Sequence, residues 1–143
     1  QEKRFLVEAL EFSDLKVKDV YTPRVNVFCI PSTYTAHDAF RMAAATKHWR
    51  FPIVDEKDNV IGVTNLRRLA SLALRSPQAL ARSFSTTPRF VSRGRFVVDL
   101  LNEMRVTHDH YRVVEENGTF EGIVTLTALL EEFVGESFTN PDL

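Results

Sequence analysis

The sequence predicts an α/β (α+β) fold made of two βαββα units related by a pseudo-twofold axis. One observation is an internal repeat, in which the pattern of residues 51–64 recurs in residues 111–124 with glycines at 62 and 122. The other is an apolar pattern upstream of each copy with helical i, i+3, i+4, i+7 spacing. Its members are Ala36, Ala39, Phe40 and Ala43 in the first copy and Val97, Leu100, Leu101 and Met104 in the second. Repeated units of this size usually stack to bury a shared face, so we expect function in the cleft between them.

Length and charge exclude several classes of protein. The chain has 143 residues, which suffices for one good core shared by two half-domains. Its 18 Lys and Arg nearly balance 19 Asp and Glu, which gives no reason to propose nucleic acid as a partner. No apolar run approaches the roughly 20 residues of a membrane span. The single Cys29 lies in an apolar run, where a buried structural thiol in a reducing setting is expected.

The first unit follows an opening helix. Residues 1–12 form an amphipathic pattern that begins without an N-cap residue, so we expect a fragment of a longer chain. A short stretch at residues 17–20 leads to Pro23, which lacks a backbone donor and predicts a turn before a strand at residues 25–30. Thr35 can cap a helix that runs to about residue 46.

A hairpin and a helix complete the first unit. Strands are predicted at residues 51–54 and 60–64, with a tight turn at residues 56–59 between them. A helix is predicted from residue 65 to about residue 74. Residues 76–88 contain two prolines and several Ser and Thr, which is typical of a linker.

The second unit repeats this order. The predicted elements are a strand at residues 90–91, a helix at 96–106, a strand at 111–115, a turn at 116–119, a strand at 120–125 and a helix at 126–136. Asn117 and Gly118 indicate the hairpin strongly because both residue types tolerate positive φ. We divide the chain into an N-terminal helix and linker (1–16), a first unit (17–75), a linker (76–88), a second unit (89–138) and a tail (139–143).

Several motifs in this order resemble a known family. Residues 17–24 are similar to "v-x-d-v-M-T-P-R", residues 50–54 to "R-x-P-V", residues 113–126 to "V-V-D-E-x-G-x-x-x-G-l-V-T-L", and residues 130–136 to "l-E-E-i-v-G-E". The chain resembles, over roughly residues 12–136, a tandem pair of cystathionine-β-synthase (CBS) domains, a Bateman module. More narrowly, it resembles the pair of the CorC/HlyC and cyclin M proteins, the hemolysin-like family associated with magnesium and cobalt efflux.

This resemblance implies a regulatory module. In the family, the pair lies at the cytoplasmic face of the inner (plasma) membrane, after a membrane domain that would here precede residues 1–16. Such pairs form disc-like homodimers and reversibly bind adenine nucleotides, typically ATP, in the cleft between the two units. No nucleophile, phosphate loop or dinucleotide fingerprint supports an enzyme.

The family's nucleotide motif is only partly present. Its pattern is Gly, two apolar residues, Thr or Ser, two residues, and an Asp whose carboxylate accepts from both ribose hydroxyls. The second unit keeps the Thr as Thr125 but has Ala128 at the Asp position, and the first unit has Asn65 and Arg68 at the two places. Loss of a charge-assisted hydrogen bond of about 1.5–3 kcal/mol predicts weak affinity for ATP, ADP or AMP, centred on the second unit. Arg68 could instead meet a phosphate.

Other candidates flank the implied cleft. They are Thr22 and Arg24 in the segment before the first unit, and Arg50, Phe51, His110 and Tyr111 at the central strands. Each has a simpler interpretation: Thr125 caps a helix, Thr22 and Arg24 form a turn, and the basic residues are solvated. His108 and His110 would share a face of a strand, but the sequence places no third ligand for zinc.

A ligand-free interaction module is the competing hypothesis. In it, the units supply a homodimer surface and couple to the membrane domain of the same full-length chain. The helices that end the two units carry more apolar residues than one small sheet face can cover. These residues are Leu66, Leu69, Leu72, Leu126, Leu129, Leu130 and Phe133.

Overall fold

Strands gather into two separate β-sheets within residues 13–138, the part of the chain that this computed structural model describes, with side chains described up to residue 134. Each sheet belongs to a compact unit of its own. The first-repeat unit is Asn26–Pro88, and the second-repeat unit combines the chain up to Val25 with the chain from Arg89. The predicted opening helix at residues 1–12 and the tail at residues 139–143 lie outside the described residues.

The elements follow one another in the predicted order. They are α1 (Val17–Val20), β1 (Thr22–Pro23), a 3₁₀ helix (Arg24–Asn26), β2 (Ile30–Pro31), α2 (Ala36–Ala44), β3 (Arg50–Val54), β4 (Val60–Asn65), α3 (Leu66–Arg75), a second 3₁₀ helix (Ala81–Phe84), β5 (Phe90–Val91), α4 (Val97–Thr107), β6 (Tyr111–Glu116), β7 (Thr119–Thr125) and α5 (Leu126–Phe138). The mixed α/β class is thereby confirmed.

The first-repeat unit is a three-stranded sheet of order β2-β3-β4, covered by helices. β2 runs parallel to β3, and β3 and β4 form an antiparallel hairpin. In its turn, Asp55 Oδ1 accepts from the backbone N–H groups of Asn59 (2.9 Å) and Lys57 (3.0 Å). These bonds, that from Asn59 first, hold the pKa of the Asp55 carboxyl below its ordinary value. The core consists of Ile30, Ala39, Ala43, Phe51, Ile53, Leu69 and Ala81.

The second-repeat unit has a four-stranded sheet of order β1-β7-β6-β5. β5 is parallel to β6, and β6 and β7 form the second hairpin. Its turn has positive φ at Asn117 (53°) and Gly118 (78°), as the Asn-Gly pair predicts. The core consists of Val17, Val91, Val97, Leu100, Met104, Val114, Val124 and Leu129.

Both predicted helix faces are covered. Thr35 caps α2 by accepting from the backbone N–H of Asp38 at 3.2 Å. The apolar residues of α2 and α4 identified from their spacing are buried, with Phe40 and Leu101 partly buried. The repeat of helical spacing is therefore confirmed as a repeat of packing.

The predicted strand at residues 25–30 is wrong for most of its length. Only Ile30 and Pro31 pair, with Ile53 and Val54, and Val25 is 86% exposed within a 3₁₀ helix. The reason is that the chain leaves the sheet of one unit after Pro23 and joins the other sheet only at Ile30, so the residues between belong to neither sheet. An apolar run alone did not reveal this change of unit.

The segment ahead of each repeat completes the unit of the other repeat. β1 pairs with β7 through Thr22↔Ile123 and Pro23↔Gly122, so residues 17–25 group with the second-repeat unit. In the first-repeat unit, Thr86 exchanges two backbone hydrogen bonds with Val63 (2.9 and 2.8 Å). Residues 76–88 are thus packed against that unit, with a 3₁₀ helix and a buried Ala81.

Candidate functional site

Two equivalent corners hold most of the predicted site residues. In the second-repeat unit, Tyr111 pairs with Thr125, and the backbone N–H of Leu126 donates to the carbonyl of His110 at 3.0 Å. In the first-repeat unit, Arg50 pairs with Asn65, and Leu66 donates to the carbonyl of Trp49 at 2.9 Å. Each corner joins the start of one strand to the end of the next strand and to the N-terminus of a helix. The first corner holds Arg50, Phe51, Asn65 and Arg68, and the second holds His110, Tyr111, Thr125 and Ala128.

Both helices are capped from the predicted position. Thr125 Oγ1 accepts from the backbone N–H of Ala128 at 3.1 Å, and Asn65 Oδ1 accepts from that of Arg68 at 2.8 Å. The capping interpretation of Thr125 is therefore confirmed. A hydroxyl that accepts one bond can still donate its proton, and a capping amide can still donate from its NH₂ group. Capping and ligand binding are thus compatible at both corners.

The two Asp positions of the family motif differ from each other in chemistry. The Arg68 guanidinium lies over the ring of Phe84, 5.0 Å from its centre, and Arg75 contacts the same ring at 5.7 Å. A stacked guanidinium keeps the N–H donors at its rim, so this contact orients Arg68 without removing its ability to meet a phosphate. Ala128 has no polar side-chain atom, so the second corner lacks a ribose acceptor at this place.

The remaining candidates are divided between the surface and the interior. Phe51 is fully buried and packs edge-on against Phe28 at 5.8 Å, so its ring belongs to the core rather than to a ligand surface. Tyr111 is 5% exposed, whereas His110 is exposed. Thr22 lies on β1 of the same sheet as Thr125, and Arg24 stacks over Phe120 at 5.2 Å. The second corner therefore has Thr22 in its own sheet.

Gly122 serves close packing of the strands. A Cβ atom there would overlap the carbonyl oxygen of Thr22 and lie 2.9 Å from Tyr21, and the φ angle is 155°. At Gly62 the nearest obstacle is the movable hydroxyl of Ser85, 2.5 Å from a Cβ position. The packing interpretation accounts for both glycines without a ligand.

One sequence signal of this arrangement went unused. Thr22-Pro23-Arg24 recurs as Thr87-Pro88-Arg89. Each copy lies at a short segment that pairs with the second strand of a hairpin. The first copy pairs with β7 in the second-repeat unit. Thr86, just before the second copy, pairs with β4 in the first-repeat unit. The repeated tripeptide therefore marks the two segments that each pair with the hairpin of the other repeat, which we call the exchanged segments. It lies outside the 60-residue pattern that defines the hairpins.

Arg112 is the functional candidate that sequence reasoning missed. Its side chain is 1% exposed. Nη1 donates to the carbonyls of Asp109 (2.8 Å) and Tyr111 (2.9 Å), Nη2 donates to Thr107 Oγ1 (3.1 Å), and Nε donates to Glu103 Oε2 (3.1 Å). The first repeat has Phe51 at the matching place, since Arg112 lies opposite Val124 in its hairpin and Phe51 lies opposite Thr64. Arginines are rarely fully buried unless paired, and no motif flagged this one.

Two ion pairs extend the contacts of Arg112. Glu103 also accepts from Arg95 Nη1 at 2.9 Å, and Asp109 Oδ2 pairs with Arg89 Nε at 3.0 Å. The hydrogen bond from Arg95, followed by that from Arg112, holds the pKa of Glu103 below its ordinary value of 4.5. We call Arg89, Asp109, Arg112, Glu103 and Arg95 the arginine network.

His108 and His110 do not lie as the zinc interpretation required. His108 is the left-handed C-cap of α4 (φ 56°), and β6 begins only at Tyr111, so His108 and His110 are not alternate residues of a strand. Within residues 13–138, no three His, Cys, Asp or Glu side chains lie together as a metal site would require. None of the helices described within these residues is long and hydrophobic enough to span a membrane.

Comparison with known proteins identifies the repeat. The CBS domain family matches residues 17–75 and 81–135. A UPF0053 protein of Mycobacterium tuberculosis is 31% identical over 94% of this chain, and the magnesium and cobalt efflux protein CorC of Pasteurella multocida is 28% identical over 95%. The chain spans 32% and 47% of the lengths of these two relatives.

Solved structures agree with this assignment. The CBS domain of a bacterial CNNM/CorC family Mg²⁺ transporter in complex with ATP superposes with a TM-score of 0.84 at 27% identity, covering 94% of this chain and 98% of that one. A hemolysin-like CBS protein of Oenococcus oeni shares the fold, with a TM-score of 0.81 at 24% identity over 92% and 98% of the two chains. The chain belongs to the CBS-domain family, as a tandem pair whose relatives are CorC and UPF0053 proteins.

Proposed function

We propose that this chain is the regulatory module of a CorC-like membrane protein and that it senses an adenine nucleotide, with the second corner as the main contact. The observation that carries the proposal is Thr125 at the N-terminus of α5, in a pair related to a CBS domain that binds ATP. In the full-length protein, the module would lie at the cytoplasmic face of the inner membrane and couple to a membrane domain associated with magnesium or cobalt transport. Its role is reversible binding without a chemical step.

The second corner offers donors to a phosphate. The N-terminus of α5 carries the positive end of a helix dipole, and the Thr125 hydroxyl can donate from the same place. Ala128 offers no carboxylate to the ribose, so the affinity is lower than a complete motif would give. At the first corner, Arg68 is engaged with Phe84 and the hydroxyl is replaced by Asn65.

Titration calorimetry with ATP, ADP, AMP and S-adenosylmethionine tests the proposal. Thr125→Val should weaken ATP binding by about 1 kcal/mol, roughly fivefold, because it removes one neutral hydrogen bond. Thr127→Val is the matched control, since Thr127 is exposed on the first turn of the same helix and carries the same chemical change. An equal loss of affinity in both variants would contradict a specific role for Thr125.

Restoring the missing carboxylate gives the opposite sign. Ala128→Asp places an acceptor where the family motif has one, and ATP affinity should rise by about 1.5–3 kcal/mol. The folded state of the variant is checked by its thermal unfolding curve. Unchanged ATP affinity in a folded Ala128→Asp variant would overturn the inherited binding mode.

A ligand-free homodimerisation module is the second candidate. Leu130 (48%) and Val134 (47%) on α5 and Leu74 (87%) on α3 are exposed and favour it, because exposed apolar side chains mark interfaces. Of the leucines predicted to remain uncovered, Leu69, Leu72 and Leu129 are instead buried in their own units. The apolar surface is therefore smaller than the sequence suggested, because these leucines pack into the interior of their own units.

Light scattering at increasing protein concentration tests the dimer. We expect a dimer that Leu130→Lys weakens, since a charge replaces an exposed apolar contact. Arg105→Ala on α4 serves as the surface control, because Arg105 bonds only locally to Asn102. A monomer at all concentrations would contradict dimerisation and leave nucleotide sensing unaffected.

A further inference from the structure

Arg112 is bonded to the backbone on both sides of His110. Its Nη1 group donates to the carbonyls of Asp109 and Tyr111, at 2.8 and 2.9 Å. The carbonyl of His110, between these two, accepts from Leu126 at the N-terminus of α5. One side chain therefore holds three consecutive peptide groups in the place where they meet the helix.

The guanidinium also fixes the distance between α4 and β6. Nη2 donates to Thr107 Oγ1 and Nε donates to Glu103 Oε2, so both residues of the last turns of α4 are tied to β6. Thr107 itself donates to the carbonyl of Glu103 at 2.9 Å. A planar group with donors in a fixed fork keeps these partners in one geometry, which a flexible ammonium would not do.

The burial of Arg112 makes this arrangement strict. With 1% of the side chain exposed, water cannot replace a lost partner, and each unmade bond would leave a desolvated polar group. Removal of the guanidinium frees the carbonyls of Asp109 and Tyr111 and lets the segment between α4 and β6 shift. The first repeat has the apolar Phe51 at the equivalent place, opposite Thr64, and cannot hold its own segment in this way.

We propose that Arg112 is a positioning residue of the second corner, which holds residues 109–111 against the N-terminus of α5 and thereby sets the ligand affinity of this corner alone. The ligand part of this inference rests on the proposed nucleotide sensing. Arg112 itself is buried beneath the corner and acts through His110, Tyr111 and the helix that Thr125 caps.

Amide hydrogen exchange tests the positioning without any ligand. In Arg112→Met, the amide of Leu126 should exchange about tenfold faster or more, because its acceptor His110 is no longer fixed. The amide of Leu66 is the internal control, since it makes the equivalent bond to Trp49 in the first repeat, and its rate should not change. Equal rates in wild type and variant, or equal acceleration at Leu66 and Leu126, would overturn the positioning role.

Calorimetry with ATP tests the effect on the ligand. Arg112→Met should weaken ATP binding about fivefold or more, while Arg105→Met, an exposed arginine on α4, should leave it unchanged. Equal affinity of wild type and Arg112→Met would overturn the ligand part of the inference. If the wild type binds no ATP at millimolar concentration, nucleotide sensing and the ligand part both fail, and the exchange rates alone decide the positioning role.

Two variants at Glu103 test the positioning while the Arg112 side chain itself is retained. Glu103→Leu removes the partner of Nε but keeps Arg112 in place, and Glu103→Gln retains an oxygen that can accept from it. We expect faster exchange at Leu126 in Glu103→Leu and near wild-type exchange in Glu103→Gln. The same rate in both variants would show that the contact with Glu103 does not position the segment.

Discussion

In the first repeat, the segment before the central strand contains Trp49, whose side chain is 53% exposed. The Thr46 hydroxyl donates to the carbonyl of Ala43 at 2.7 Å and accepts from the backbone N–H of His48 at 3.2 Å. In the second repeat, the matching segment is bonded to the buried Arg112 and, through Asp109, to Arg89. The second segment makes the same kind of local bonds, from the Thr107 hydroxyl to the carbonyl of Glu103 (2.9 Å) and from the backbone N–H of Asp109 to Thr107 (3.4 Å), and it adds the buried guanidinium to them. Equivalent backbones in a repeated fold can therefore share one set of local bonds while one copy gains a further support.

The same difference extends to charge. The first corner has Arg50 and Arg68, with Arg67 exposed on the first turn of α3. The second corner has neutral Thr125, Thr127 and Ala128 at the corresponding helix. The two corners therefore offer different chemistry, and the repeats are best compared by paired substitutions.

The largest expected difference lies at the two glycines. Gly122→Ala should lower the free energy of unfolding by about 2–3 kcal/mol, because the new methyl group meets the Thr22 backbone at a positive φ angle. Gly62→Ala should cost less, about 1 kcal/mol, because the new methyl group meets the side chain of Ser85 rather than a backbone oxygen, and making room costs the bond from the Ser85 hydroxyl to the Arg82 carbonyl. Urea unfolding of both variants measures the difference. Equal losses would mean that the two exchanged segments approach their hairpins equally closely.

The two helix caps should differ little in stability. Asn65→Ala and Thr125→Ala each remove one bond to a backbone N–H, and each should lower the free energy of unfolding by about 1 kcal/mol. Thermal unfolding measures both, with Thr127→Ala as a control beside the second cap. A much larger loss for Thr125→Ala would indicate that its hydroxyl also stabilises the unit through a second bond.

The smallest effect concerns acid. Because the folded-state pKa of Glu103 lies below its ordinary value of 4.5, its contribution to stability is present above pH 4.5 and is lost as pH falls through the folded-state pKa. Glu103 is 35% exposed, so solvent screening limits this contribution to less than about 1 kcal/mol. Unfolding midpoints of wild type and Glu103→Gln should converge once the pH has fallen below the folded-state pKa of Glu103. A constant difference at all pH values would exclude the ionised carboxylate as the cause.

Periodicity predicted the elements that pack within one repeat. The spacing of α2 and α4 and the Asn117-Gly118 turn rest on local chemistry, which a sequence states directly. The strand at residues 25–30 was wrong because its partner depends on which unit the chain has reached. Such long-range pairing leaves no trace in the hydropathy of the segment itself.

The sequence indicated where Thr125 and Asn65 lie in the fold, but it did not reveal the contacts of Arg112 behind the second corner. Thr125 and Asn65 lie at matching helix starts, as the repeat indicated. Arg112 was missed because its burial depends on Glu103 and Thr107 of α4, which meet it only in the folded chain. The ring of Phe51 turns into the core beside Arg50, and this placement could not be read from the sequence.

The exchange of β1 also fixes an order of events during synthesis. Residues 26–88 form one uninterrupted unit, which can fold as soon as it leaves the ribosome. Thr22 and Pro23 emerge earlier but must wait for β7 before they can pair with Ile123 and Gly122. When β7 emerges, its outer edge is open to other chains until β1 docks on it. Translation speed over residues 89–125 would therefore influence how long that edge stays uncovered.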